Sequence, residues 1–209
     1  MFSIAVLISG GGTTLKNLIA VQNSGTANWR ISSVISNNPN AKGLAFAKDE
    51  DIQHCVVNHR DFADEDEFST AVYAAIENFE NKPDLIVMGG FLRRLNISQE
   101  YKNKIINIHP SLIPAFCGKG NYGSRVHQSV IDYGCKLTGC TVHFVDNEYD
   151  HGPIIAQRSV PVENDDSIAT LAARVFATEC ELLPEVISKI AAGRVSLSGR
   201  NVIIKPEVQ

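Results

Sequence analysis

The 209-residue chain predicts an α/β fold with a mostly parallel central sheet and an antiparallel C-terminal portion. Three observations carry this. Strand-like apolar runs recur at 3–9, 29–36, 52–57, 84–89 and 105–109, with helical patterns near 14–22, 40–49 and 66–80 between the early ones. The runs are near-continuously apolar, as in Leu85-Ile86-Val87-Met88, which is the signature of strands covered on both faces. From about residue 135 the alternation gives way to two runs, 138–145 and 154–162, around an acidic Gly/Pro-containing loop from Asp146 to Pro153.

Leu15, Leu18 and Ile19 share one face of the first helical pattern, and Phe68, Val72, Ala75, Ile76 and Phe79 one face of the third. The right-handed crossover rule makes the βα alternation Rossmann-like. The runs at 138–145 and 154–162 pair antiparallel. A long helix then starts at the N-cap Ser167 and reaches about Ala192, with a kink or break near Pro184. Residues 195–205 form a two-strand tail around Ser198-Gly199-Arg200. Without repeats or a low-complexity linker, residues 1–209 read as a single domain.

Composition narrows the function. Hydrophobic residues make up 44% and charged residues 20%, as in soluble globular proteins. A net charge of -4 leaves no broad basic surface, so nucleic acid is not an expected partner. No run approaches the roughly 20 apolar residues of a membrane helix. Met1 to Ser9 reads as a strand and not as a signal peptide. Five scattered cysteines with no CxxC read as reduced thiols of a cytoplasmic protein, and no zinc ligand pattern is present.

Four elements could carry chemistry. Ser9-Gly10-Gly11-Gly12-Thr13-Thr14 lies between the first strand and helix. Glycines let a ligand approach the backbone, and helix-start amides suit an anion. Leu15 stands where GxGxxG needs glycine, and no P-loop lysine follows, so a phosphate monoester site is favoured over a dinucleotide or triphosphate site. A tight βα turn that binds nothing is the other reading.

Asn107 and His109 point to one face at the end of a strand that Pro110 terminates. A carboxamide can donate to a developing oxyanion and an imidazole can move a proton near neutral pH. No serine or cysteine completes a covalent triad: Ser111 reads as a turn hydroxyl and Cys117 has no evident base. Direct acyl transfer is therefore preferred. Asp150, in the acidic loop, could pair with His109 and raise its pKa, or simply be solvated. His143, inside the preceding strand, reads as a packed or hydrogen-bonded core histidine, with a second acid as the other reading. Glu179 falls on the apolar stripe of the last helix, where it either meets a cationic group or is exposed by a bend near Pro184.

The motifs Val6-Leu7-Ile8-Ser9-Gly10-Gly11-Gly12, Gly89-Gly90-Phe91-Leu92-Arg93, Asn107-Ile108-His109-Pro110-Ser111-Leu112-Ile113-Pro114 and Val142-His143-Phe144-Val145 through Asp150-His151-Gly152-Pro153 occur in order. Over residues 3–192 the chain resembles the phosphoribosylglycinamide formyltransferases, folate-dependent transformylases of purine synthesis. The resemblance implies the Rossmann-like formyltransferase fold and formyl transfer from 10-formyltetrahydrofolate, without a metal, to the amine of glycinamide ribonucleotide. It implies that Asn107 stabilises the oxyanion, His109 is the general acid/base and Asp150 raises the His109 pKa. Gly12, Thr13, Thr14 and Glu179 would bind the ribonucleotide. Leu92, Arg93, Arg94, Leu95 and Asn107, with Asp146, Asn147, Glu148, Tyr149 and Asp150, would line the folate site. A monomer or homodimer is implied.

The chain departs from the family pattern in places. Thr14 stands where members often have Asn, and His151 where many have Gly. An arginine used by some members at the folate tail is missing from 61–67. The segment Cys117–Gly123 is longer than in some members; it is expected to shape the substrate rim, with Lys119 as a phosphate or carboxylate contact. The alternative within the family is formyltetrahydrofolate deformylase, which uses the same Asn/His/Asp set on water. Its usual extra N-terminal domain is not expected where the first strand begins at Ser3. Methionyl-tRNA formyltransferase would need a basic extension, and a non-catalytic binding module would have no use for the Asn/His/Asp set.

Overall fold

A computed structural model describes residues 1–206; residues 207–209, the end of the expected 1–209 domain, lie outside the described residues. The chain divides into two compact units, Met1–Ile106 and Asn107–Gln209.

The first unit contains β1 (Phe2–Ile8), α1 (Thr13–Asn23), β2 (Trp29–Ser36), α2 (Gly43–Asp49), β3 (Gln53–Val56), a 3-10 turn (His59–Asp61), α3 (Glu65–Glu77) and β4 (Leu85–Met88). Its strands lie in the order β3-β2-β1-β4, and every pair is parallel. Ile4 to Ile8 and Leu85 to Met88 are buried, as strands covered on both faces must be. Helix α1 turns Leu15, Leu18 and Ile19 inward, the face its periodicity predicts. Helix α3 is capped by Asp64, whose carboxylate accepts from the amides of Asp66 and Glu67 at 2.9 Å each. It stops at Glu77, so Phe79 lies beyond the helix on which its spacing had placed it.

In the second unit, β5 (Ile105–His109, beginning just before the boundary), β6 (Leu137–Phe144) and β7 (Ile154–Pro161) lie in that order. Strands β6 and β7 are antiparallel, with a register shift between Val142 and His143. Strands β8 (Val195–Ser198) and β9 (Asn201–Ile204) form the separate hairpin expected of the tail.

Helix α4 (Ser124–Tyr133) was not anticipated. Only Val126, His127 and Val130 are buried along its ten residues, too few apolar positions for a periodic signal, and Gly123 and Gly134 bound it. Helix α5 (Ile168–Ala191) has the expected Ser167 cap, closed as a box: Ser167 Oγ accepts from the Thr170 amide at 3.2 Å, and Thr170 Oγ1 from the Ser167 amide at 2.9 Å. It runs unbroken through Pro184, contrary to the expected break. Proline removes one backbone donor, but Leu182, Leu183, Val186 and Ile187 are buried on either side of it and hold the segment in place.

Candidate active site

Pro110 ends β5, and the two residues before it that share a face, Asn107 and His109, stand at the strand's end with Ile108 buried between them. His109 is only 4% exposed. Its Nε2 lies 3.0 Å from the carbonyl oxygen of Phe116, so that nitrogen carries the proton and donates. Nδ1 then faces Asp150, whose Oδ2 is 3.6 Å away. The same oxygen accepts the Gly118 amide at 2.8 Å. The other oxygen of Asp150 lies 3.7 Å from Nε2 of His143. His143 Nδ1 donates to its neighbour's carbonyl, Phe144 O, at 2.8 Å, and its Nε2 is 3.3 Å from Nδ2 of Asn107. The Asp150 carboxylate thus sits between two imidazoles, one of them tied to Asn107.

Two features that sequence reading missed complete the cluster. His143, read as a core residue, is indeed almost fully buried, yet the register shift beside it in β6 accompanies a ring close to both Asn107 and Asp150. The segment after Pro114 supplies two backbone groups, the Phe116 carbonyl and the Gly118 amide, which no side-chain motif could reveal. Lys119, the proposed anion contact in that segment, is exposed.

Electrostatics refine the expected role of Asp150. Burial pushes the His109 imidazole below its ordinary pKa; the Asp150 charge and the Phe116 carbonyl pull it up, and His143 pushes it down. Asp150 therefore acts in the expected direction, but burial outweighs it and the net shift is downward. For Asp150 itself burial raises the pKa most, and His143, His109 and the Gly118 amide together outweigh that and hold it lowered. His127 on α4 is lowered by burial and then by His109, and its buried Nδ1 has no hydrogen-bond partner.

The nearby hydroxyl and thiol are engaged elsewhere. Ser111 Oγ donates to Ala115 O at 2.6 Å, and Cys117 Sγ to Pro114 O at 3.3 Å. Burial and then the Asp150 charge raise the Cys117 thiol, so it is a poor thiolate source.

In the first unit, the glycine turn is built on a close backbone approach. Gly12 has φ +72°, and a Cβ there would lie 2.5 Å from Gly43 Cα, so only glycine fits. Gly12 caps α1 without any side-chain hydrogen bond, and Thr13 and Thr14 begin the helix. Ser9 Oγ accepts the Leu92 amide at 2.7 Å, which joins the turn to the segment Leu92–Leu95. Leu92 is exposed and Leu95 buried; Arg93 Nη2 lies 2.6 Å from Nε2 of His59, and Arg94 pairs with Glu65 at 3.3 Å. In the second unit, Asp146 bonds to His151, Glu148 and Tyr149 are exposed, Asn147 is solvent-facing, and Glu179 on α5 keeps partial exposure although burial pushes its carboxyl up to about 7.

Among the described residues, no group of three or more His, Cys, Asp or Glu is placed to hold a metal, and no helix is long and apolar enough to cross a membrane. Among the described residues, no two cysteines form a disulfide.

The formyl transferase family model matches residues 2–187. The chain belongs to the formyl transferase family. The phosphoribosylglycinamide formyltransferase of Haemophilus influenzae is 38% identical over 94% of this family member and 91% of its own length. The human trifunctional purine biosynthetic protein adenosine-3 is 37% identical over 98% of the chain, which spans only a fifth of that protein. The crystal structure of glycinamide ribonucleotide transformylase 1 from Symbiobacterium toebii superposes with a TM-score of 0.89 at 34% identity, covering 98% of this formyl transferase and 94% of that chain. The α/β fold with a mostly parallel sheet and an antiparallel C-terminal portion is the formyltransferase fold.

Proposed function

We propose that this formyl transferase moves the formyl group of 10-formyltetrahydrofolate to the amine of glycinamide ribonucleotide, in purine synthesis. The observation that carries the reading is the Asp150 carboxylate set between His109 and His143, beside the Asn107 amide, with Ser111 and Cys117 both engaged by backbone carbonyls. Among the described residues this cluster offers a proton acceptor and an amide donor, while its hydroxyl and thiol are engaged elsewhere, which supports a substrate atom as the attacker.

The chemistry then divides among named groups. His109 starts neutral because burial lowers its pKa, and its Nε2–H is committed to Phe116. Nδ1 is the nitrogen that takes the proton released as the substrate amine attacks the formyl carbon. Asp150 compensates the imidazolium so formed. Asn107 donates to the oxygen that becomes negative in the tetrahedral adduct. When the bond from the formyl carbon to N10 breaks, His109 returns its proton to N10. Atoms and charge balance without a metal or covalent enzyme intermediate.

The remaining assignments rest on resemblance. Gly12, Thr13 and Thr14 would hold the substrate phosphate with backbone amides, and Glu179 would contact the ribonucleotide. By the same resemblance, Leu92 to Leu95 and Asp146 to Asp150 would receive the folate; Leu92 is exposed, whereas buried Leu95 could contribute only backbone. One family model spans both compact units, which supports treating 1–209 as one functional domain. A cytoplasmic monomer or homodimer completes the proposal.

Purified protein mixed with 10-formyltetrahydrofolate, with and without glycinamide ribonucleotide, tests the reading by release of tetrahydrofolate. Release should require the amine. Equally fast release without it would replace the reading with the deformylase alternative, and no release in either case would leave a binding module.

A further inference from the structure

Asp150 has φ +51°, a left-handed conformation that a non-glycine residue keeps only where neighbouring groups enforce it. The Gly118 amide restrains its side chain. The restraint on its backbone comes from the far end of the chain. Arg200 lies at the tip of the β8–β9 hairpin, and its Nη2 donates to the carbonyl oxygen of His151, the residue that follows Asp150, at 2.5 Å. Arg200 Nη1 also lies 3.2 Å from Nε2 of His151, while His151 Nδ1 is 2.9 Å from Asp146 Oδ2. Asp146 in turn accepts the Glu148 amide at 2.9 Å. Both ends of the loop are thus joined through His151, and Arg200 holds the junction. The hairpin that carries Arg200 is anchored in its own right: its base is closed by Lys205 N donating to Arg194 O and Arg194 Nε to Lys205 O, each at 2.9 Å, and β9 packs against β7.

We propose that Arg200 is a positioning residue for formyl transfer: it clamps the His151 peptide and thereby sets the Asp150 carboxylate between His109 and His143. This rests on the acid/base reading of His109 and Asp150 given above. The contact is solvent-exposed, so it adds little to global stability. What it controls is the place of one carboxylate, and misplacing a catalytic group by about 1 Å can cost on the order of 100-fold in rate.

The test compares Arg200→Ala, Arg200→Lys, Asp150→Asn and the double variant Arg200→Ala/Asp150→Asn in pH–rate profiles of tetrahydrofolate release. Arg200→Ala should lower kcat by on the order of 10-fold and move the limb assigned to His109 to lower pH, part of the way to its position in Asp150→Asn. Arg200→Lys, which keeps one donor, should recover part of both effects. In the Asp150→Asn background the Arg200→Ala change should add little, since there is no carboxylate left to place. A normal profile for Arg200→Ala beside an impaired Asp150→Asn overturns the latch alone. An equal loss in both backgrounds with an unmoved limb makes Arg200 merely structural and overturns it too. If Asp150→Asn itself has a normal profile, the acid/base reading fails and the latch fails with it.

Discussion

The carbonyl of Phe116 accepts the Nε2 proton of His109 at 3.0 Å, and this one bond leaves Nδ1 as the unprotonated nitrogen of the neutral imidazole. With Nε2 committed, Nδ1 is left facing Asp150 across 3.6 Å, too far for a tight hydrogen bond and near enough for charge compensation once the ring is protonated. A buried imidazole that starts neutral and gains a counter-charge only on accepting a proton suits a base that must later become an acid.

His109→Ala should lower turnover by about 10²–10⁴ while the protein stays folded. The tetrahydrofolate release assay together with a circular dichroism spectrum checks both halves. Near-normal turnover would remove His109 from its role.

Asn107→Ala should cost on the order of 10²–10³ in kcat, with a smaller change in KM, because an oxyanion donor acts mainly on the transition state. A variant that raises only KM would mark Asn107 as a binding residue. The change also takes a partner from His143, so Asn107→Asp, which keeps the shape, is the companion measurement.

Stability should depend on pH with two opposing slopes. His109 and His127 have folded pKa values below their unfolded value of about 6.5. Their contribution is present above that pH and is lost as the pH falls through the folded values. Glu179 has the opposite sign: its folded value, about 7, lies above the unfolded one, so its contribution is full at low pH and is lost as pH rises through 7. Glu179→Gln should therefore stabilise the fold at pH 8, by on the order of 1 kcal/mol after allowing for its partial solvent contact, while weakening ribonucleotide binding. Urea midpoints at pH 5, 6.5 and 8 measure this, and a Glu179→Gln curve parallel to wild type would contradict it.

Gly12→Ala should destabilise by about 1–3 kcal/mol, since it forces a left-handed φ on alanine and drives Cβ to 2.5 Å from Gly43 Cα. Gly152→Ala meets a harder wall, with Cβ 1.8 Å from the Phe144 carbonyl oxygen. Relief there must shift the peptide next to the Asp150 loop, so kcat should fall together with the denaturation midpoint. Retained kcat in a destabilised Gly152→Ala protein would separate the loop's position from catalysis.

Much of this fold is written in the sequence. The burial of β1 and β4 on both faces, the α1 and α3 apolar stripes and the Ser167 cap are local consequences of side-chain pattern, and strands β2 and β5 have the bounds the sequence predicts. Asn107 and His109 could be paired from spacing alone, because the strand period is two and Pro110 must end the strand. Helix α4 was invisible because three buried residues give no period, and Pro184 does not break α5 because burial around it offsets proline's local cost.

The partners of Asn107 and His109 were a different matter. Placing Asp150 beside His109, 41 positions away in sequence by their residue numbers, needs the β6–β7 antiparallel pairing and a left-handed residue at its connection. Recruiting His143 needs its place at the end of β6, beside the register shift that follows Val142; fixing the His109 tautomer needs a backbone carbonyl that has no sequence signature. The sign of the His109 shift belongs here as well, because burial depends on everything packed around the ring, whereas sequence offered only a possible carboxylate partner. Sequence by itself determined which groups stand at the end of β5; tertiary structure decided their neighbours and the directions of their pKa shifts, since those depend on distances that only folding creates.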